Sequence, residues 1–162
     1  MSLDSGTLAE RALAILKKRG LKLAFAESCT GGLMADSIVS ISGASEVFLG
    51  SLVSYDVSVK RNLLGIAENT IRECGVVSAE CALEMAKNAR RLFKSDAALS
   101  STGYAEPPGD KSVEACIYLA ISAEGFCEVK KIASLSTRNE NRAAAVNCAL
   151  EMLLNCLQRE QF

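Results

Sequence analysis

Residues 21–40 hold the unit that most constrains this chain. A short apolar run over residues 21–26 ends in Glu27-Ser28-Cys29-Thr30-Gly31-Gly32, and residues 33–40 then read as a helix. Strand, glycine turn and helix form the opening of a crossover, and crossovers commit their strands to parallel pairing with helices on the faces. The same grammar recurs. Residues 47–55 read as a strand rich in Val, Leu, Phe and Tyr, followed by a short helix over 58–64 closed by Gly65. Ser78 caps a longer helix with Ala82, Met85, Ala86, Ala89 and Phe93 on one side, and residues 97–101 form the next buried strand. The ends differ. An amphipathic helix over 4–19 comes first, with Leu8, Ala12, Leu13 and Leu16 on one face. A hairpin over 113–122 and 126–135 and a capped helix from Thr137 to about 158 come last. The pattern predicts a three-layer α/β/α sandwich, with a mixed, mostly parallel sheet and an antiparallel edge.

Composition narrows the chemistry. The chain has 162 residues, which fits one domain over 1–162. It contains no histidine, so no Ser-His-Asp or Cys-His triad and no His-based zinc motif can be built. A proton shuttle must come from Lys, Asp, Glu, Tyr or Cys. The 7 cysteines form no CxxC pair and are odd in number, and no leader is read at the start. A reducing cytoplasmic setting without a disulfide framework is therefore expected. A net charge of −1 argues against a strongly basic nucleic-acid binder, and no apolar run is long enough for a membrane span.

Four segments can carry chemistry. Ser28-Cys29-Thr30-Gly31-Gly32 sits where a strand ends and a helix begins, the usual ligand position in open α/β sheets. A hydroxyl there can serve as a nucleophile, and the glycine amides as an oxyanion or phosphate cradle. Alternatively the run is only a capped turn. Cys29 is a rival nucleophile, although with no histidine to activate it a packing role fits better. In the second segment, Tyr55 and Lys60 stand five positions apart, and one helical turn can bring both to the same cleft. A desolvated lysine can act as a general base. Ser101-Thr102-Gly103 ends a third strand and can close the cleft. Arg138 and Arg142 stand one turn apart at the start of the last helix and can bind phosphate or lie solvated.

Together these segments resemble the CinA C-terminal domain family, the nicotinamide-nucleotide amidases. The resemblance rests on Ala26-Glu27-Ser28-Cys29-Thr30-Gly31-Gly32, Gly43-Ala44-Ser45, Phe48-Leu49-Gly50 and Val53-Ser54-Tyr55 with Lys60. Leu63-Leu64-Gly65, Gly75-Val76-Val77-Ser78 and Ser101-Thr102-Gly103 extend it, so it covers about residues 6–157. It implies a cytoplasmic, often dimeric protein that hydrolyses the carboxamide of nicotinamide mononucleotide, a small-molecule nucleotide. The products are nicotinic acid mononucleotide and ammonia, and no metal or cofactor is needed. It implies Ser28 as nucleophile, Lys60 as its base and Tyr55 as polariser or proton relay between them. The amides near Thr30, Gly31 and Gly32 would take the oxyanion or ligand. Thr102 and Gly103 would line the substrate. Arg142, from its place at the start of the last helix, is expected as a further substrate contact.

The chain departs from the family pattern after Gly103. Where relatives run Ile-Ala-Gly-Pro-Gly-Gly, it has Tyr104-Ala105-Glu106-Pro107-Pro108-Gly109, and where they have Pro-Val-Gly it has Ser112-Val113-Glu114. Glu106 and Glu114 would repel a phosphate unless turned away or paired with Arg138 or Arg142. This altered loop motivates the competing reading, a catalytically weak or silent nucleotide-binding relative.

Overall fold

The computed structural model describes residues 5–109, 113, 115–134 and 136–159. Its elements run α1 (Ser5–Arg19), β1 (Leu23–Glu27), α2 (Leu33–Val39), a 3₁₀ turn (Ala44–Glu46), β2 (Phe48–Val53), α3 (Val57–Asn62), α4 (Glu68–Cys74), α5 (Ala79–Phe93), β3 (Ala97–Gly103), β4 (Cys116–Ala123), β5 (Phe126–Ala133) and α6 (Arg138–Leu157). The five strands form one open sheet in the order β2-β1-β3-β4-β5. β1 pairs in parallel with β2 and β3, and β4 runs antiparallel to both β3 and β5. Four of the five strands thus point the same way, and the expected mixed, mostly parallel α/β/α sandwich is what the chain forms.

Side-chain alternation along the strands sorts the two faces. Leu23, Phe25, Leu99, Ile117, Leu119 and Ile121 pack with α1, α2 and α6 in the larger core. Ala26, Ala98 and Ala120 point the other way, towards α5. Small residues there let α5 lie close to the sheet, close enough for Ser100 Oγ to donate to Ala82 O at 2.6 Å. Complete burial of Phe25 alone contributes about 2 kcal/mol.

This two-faced core places the site. The chain leaves β1 through α2 on one face to reach β2, then returns through α5 on the other face to β3. The crossovers diverge at the carboxyl end of β1, and a crevice opens where they part. All five β1 residues are buried, as befits a central strand covered on both sides. The seven cysteines are free thiols, and among the described residues no helix is long and apolar enough to cross a membrane.

Candidate active site

Ser28 follows directly on the last residue of β1, at the mouth of that crevice. Lys60 reaches it from α3. Asp56 starts this helix by accepting from Ser58 N at 2.8 Å, and its own carboxyl is held below the ordinary range by Ser58. Helical side chains lean towards the N-terminus of their helix, so Lys60 points back over the end of β2. Its Nζ donates to Ser54 O at 2.6 Å and lies 2.8 Å from Ser28 Oγ. Lys60 is 2% exposed. Burial pushes its pKa below the usual lysine value, because an ammonium loses its water there. Ser54 N in turn donates to Glu27 O at 2.7 Å, which stitches the ends of β1 and β2 together.

The cleft around this contact has a volume of about 370 Å³, the size of a small-molecule site. Ser28, Tyr55, Lys60, Thr102 and Gly103 all line it, together with the 104–109 loop and Arg138. The Thr102 hydroxyl donates to Val76 O at 2.6 Å. A Cβ on Gly103 would come within 2.4 Å of Cys116 O, so glycine is needed where β3 meets β4.

Several expected contacts lie elsewhere. Tyr55 is not between Ser28 and Lys60, which touch directly. Tyr55 is 62% exposed and its hydroxyl accepts from Arg138 Nη2 at 2.9 Å. Arg142 is turned inward, with Nε donating to Cys29 O at 3.0 Å and Nη2 to Thr30 O at 2.9 Å. It clamps the serine loop and does not line the cleft. The Thr30 hydroxyl donates to Glu27 Oε2 at 2.8 Å and meets Ser101 Oγ at 2.7 Å. Gly31 N donates to Ser28 O at 3.1 Å and Gly32 N to Glu27 Oε2 at 2.9 Å, so both amides are already engaged. The amides of Cys29 and Thr30 face the Cys29 thiol, whose sulfur is only a weak acceptor. The Cys29 thiol is pushed up to about 11 by burial, which keeps it protonated at neutral pH.

Glu27 is the residue whose role sequence reasoning missed. Its fully buried carboxylate accepts from Thr30 Oγ1, Gly32 N, Met34 N, Ala35 N and Ser51 Oγ, at 2.8–3.1 Å. It occupies the N-terminal end of α2 that a ligand anion was expected to use. The signal was an acid closing an otherwise apolar strand. Glu106 pairs with Arg138, Oε1 to Nη1 at 2.8 Å, while Glu114 lies outside the described residues.

Fold and site define an open α/β/α protein with a buried serine–lysine contact at the carboxyl end of its first strand. The family model for the CinA C-terminal domain matches residues 5–157. The chain therefore belongs to the CinA C-terminal domain family. Among relatives, a CinA-like protein of Pseudothermotoga lettingae is 39% identical over 153 residues, covering 93% of this chain and 38% of that protein. A putative competence-damage inducible protein of Caldanaerobacter subterraneus subsp. tengcongensis is 38% identical, covering 99% of this chain and 39% of the relative. The chain thus spans less than half the length of these relatives. The crystal structure of competence/damage inducible protein CihA from Agrobacterium tumefaciens superposes with a TM-score of 0.89 at 34% identity, covering 98% of this chain and 100% of that one. That of competence damage-inducible protein A from Klebsiella pneumoniae gives 0.93 at 27% identity, with the same coverage.

Proposed function

We propose that this protein is an amidohydrolase that deamidates nicotinamide mononucleotide in the cytoplasm, with Ser28 as nucleophile and Lys60 as base. The observation that carries this reading is the 2.8 Å contact between a buried lysine amine and a serine hydroxyl on the wall of a small-molecule cleft. In the neutral amine, one N–H stays on Ser54 O and the lone pair faces Ser28 Oγ. Lys60 takes the serine proton while Oγ bonds to the carboxamide carbon and the C=O pair moves onto oxygen. The amides of Cys29 and Thr30, which face only the weakly accepting Cys29 sulfur, are the donors for that oxyanion. Collapse of the intermediate breaks the C–N bond, Lys60 returns its proton to nitrogen, and ammonia leaves. Water, deprotonated by Lys60, then attacks the acyl-serine ester, releasing the acid and restoring Ser28. Tyr55 serves as a wall of the cleft, and Arg142 holds the serine loop in place. Family membership and the small cleft support the choice of substrate. Self-association into a dimer belongs to the same proposal.

The test is ammonia release from nicotinamide mononucleotide by the purified protein, beside Ser28→Ala and Lys60→Ala. Release by the wild type, lost in both variants, is the expected result. No release at high enzyme concentration overturns the amidase reading, and undiminished release by Ser28→Ala overturns the nucleophile. One observation favours a second reading, a silent nucleotide-binding relative: Glu106 sits on the cation at the cleft mouth. Calorimetric binding without turnover would select it.

A further inference from the structure

Two cations line the cleft among the described residues, Lys60 and Arg138. Lys60 is buried against Ser28, which leaves Arg138 as the exposed cation facing a ligand. Its guanidinium is already engaged on two sides by the chain itself. Nη1 meets Glu106 Oε1 at 2.8 Å, and Nη2 meets the Tyr55 hydroxyl at 2.9 Å. The three residues come from the 104–109 loop, the start of α6 and the turn between β2 and α3, so the contact spans the mouth of the cleft. It is half in solvent, with side chains 42% and 54% exposed for Arg138 and Glu106. An exposed ion pair of this kind is weak, and a phosphate dianion makes stronger charge-assisted bonds to the same fork. A phosphate can therefore displace Glu106. The displaced carboxylate then remains beside the dianion on a short loop, where like charges repel.

We propose that Glu106 is a specificity-determining residue. By occupying Arg138, it weakens recognition of the mononucleotide's phosphate and shifts the site towards unphosphorylated nicotinamide riboside. This rests on the ligand class of the amidase reading, while the predicted effect concerns binding alone. A neutral riboside leaves the Glu106–Arg138 pair intact and meets no such repulsion. A carboxylate about 4 Å from a phosphate dianion in water corresponds to roughly a thirtyfold change in affinity unscreened, and to about fivefold or more at physiological salt.

Calorimetric titration of nicotinamide mononucleotide and nicotinamide riboside into the Ser28→Ala protein separates these effects. Adding Glu106→Gln is expected to tighten mononucleotide binding by about fivefold or more while riboside binding stays within about twofold. Glu106→Asp keeps the charge and is expected to retain the original ratio of the two affinities. With Arg138→Gln also present, the gain from Glu106→Gln should vanish. An unchanged mononucleotide affinity, or equal tightening of both ligands, overturns the inference. Binding of neither ligand by any variant overturns it together with the ligand class. If the ratio shifts as expected but the wild type releases no ammonia, the amidase reading fails and the role of Glu106 stands.

Discussion

Gly32 N donates to Glu27 Oε2 at 2.9 Å, so the helix end behind the serine loop already holds its anion inside the protein. Glu27 fixes the loop from below, and Arg142 grips the carbonyls of Cys29 and Thr30 from α6. Between them the turn carrying Ser28 is held on both sides before any ligand arrives, the preorganisation that the proposed nucleophilic role would require.

Removing Glu27 should therefore unsettle the fold more than a single side chain usually does. Glu27→Ala leaves three amides and two hydroxyls, all buried or partly buried, without their acceptor. A loss of about 3–5 kcal/mol is expected, lowering Tm by roughly 10 °C. Thermal unfolding followed by circular dichroism measures it. A change under about 2 °C would mean that water replaces the carboxylate without cost.

The activity should depend on pH through Lys60. Its pKa is depressed by burial, so the amine becomes neutral below the ordinary lysine value of 10.5. kcat/KM is expected to rise with pH through one ionisation in that lower range and then level off. A rise that continues to 10.5 would contradict a desolvated base. The stability of the fold has the same origin. The cost of burying the ammonium is fully present below the folded-state pKa and fades as pH rises towards 10.5. Lys60→Met should thus raise Tm most at acid and neutral pH, with the gain shrinking in alkali.

Cys29 neighbours Ser28, the proposed nucleophile, and lines the cleft, yet burial pushes its thiol up to about 11. Cys29→Ala should keep ammonia release within about threefold of the wild type, and iodoacetamide at neutral pH should leave the enzyme active. Loss of activity comparable to that of Ser28→Ala would transfer the nucleophile to the thiol.

Arg142 is expected to act on rate and not on affinity. Its guanidinium holds two carbonyls of the serine loop and is absent from the cleft lining. Arg142→Ala should lower kcat about tenfold or more while KM changes little, because about 1.4 kcal/mol of lost positioning corresponds to a factor of ten. A selective rise in KM for the mononucleotide would make Arg142 a ligand contact after all.

Much of this was legible in the chain. The strand and helix patterns gave the layers, the caps at Ser78 and Thr137 fixed where two helices begin, and the Ser28, Tyr55 and Lys60 signature marked one cleft. Partner assignments were harder. Gly31, Gly32, Thr30 and Arg142 are all residue types suited to an anion, and each is instead bonded within the protein. Tyr55 has the right chemistry for a relay and stands at the cleft mouth on Arg138.

The sequence by itself determined which segments form strands and helices, because hydrophobic period, glycine turns and caps act over a few residues. It also determined, through the absence of histidine, that any catalytic base must be of another kind. Only the tertiary structure decided which groups remain free to act. Lys60 meets Ser28 across 32 positions, Arg142 reaches Cys29 across 113, and Arg138 reaches Tyr55 across 83. Those pairings follow from how the two crossovers and α6 converge on the end of β1. A buried donor or acceptor takes whichever partner packing brings within reach, and no local pattern records that choice.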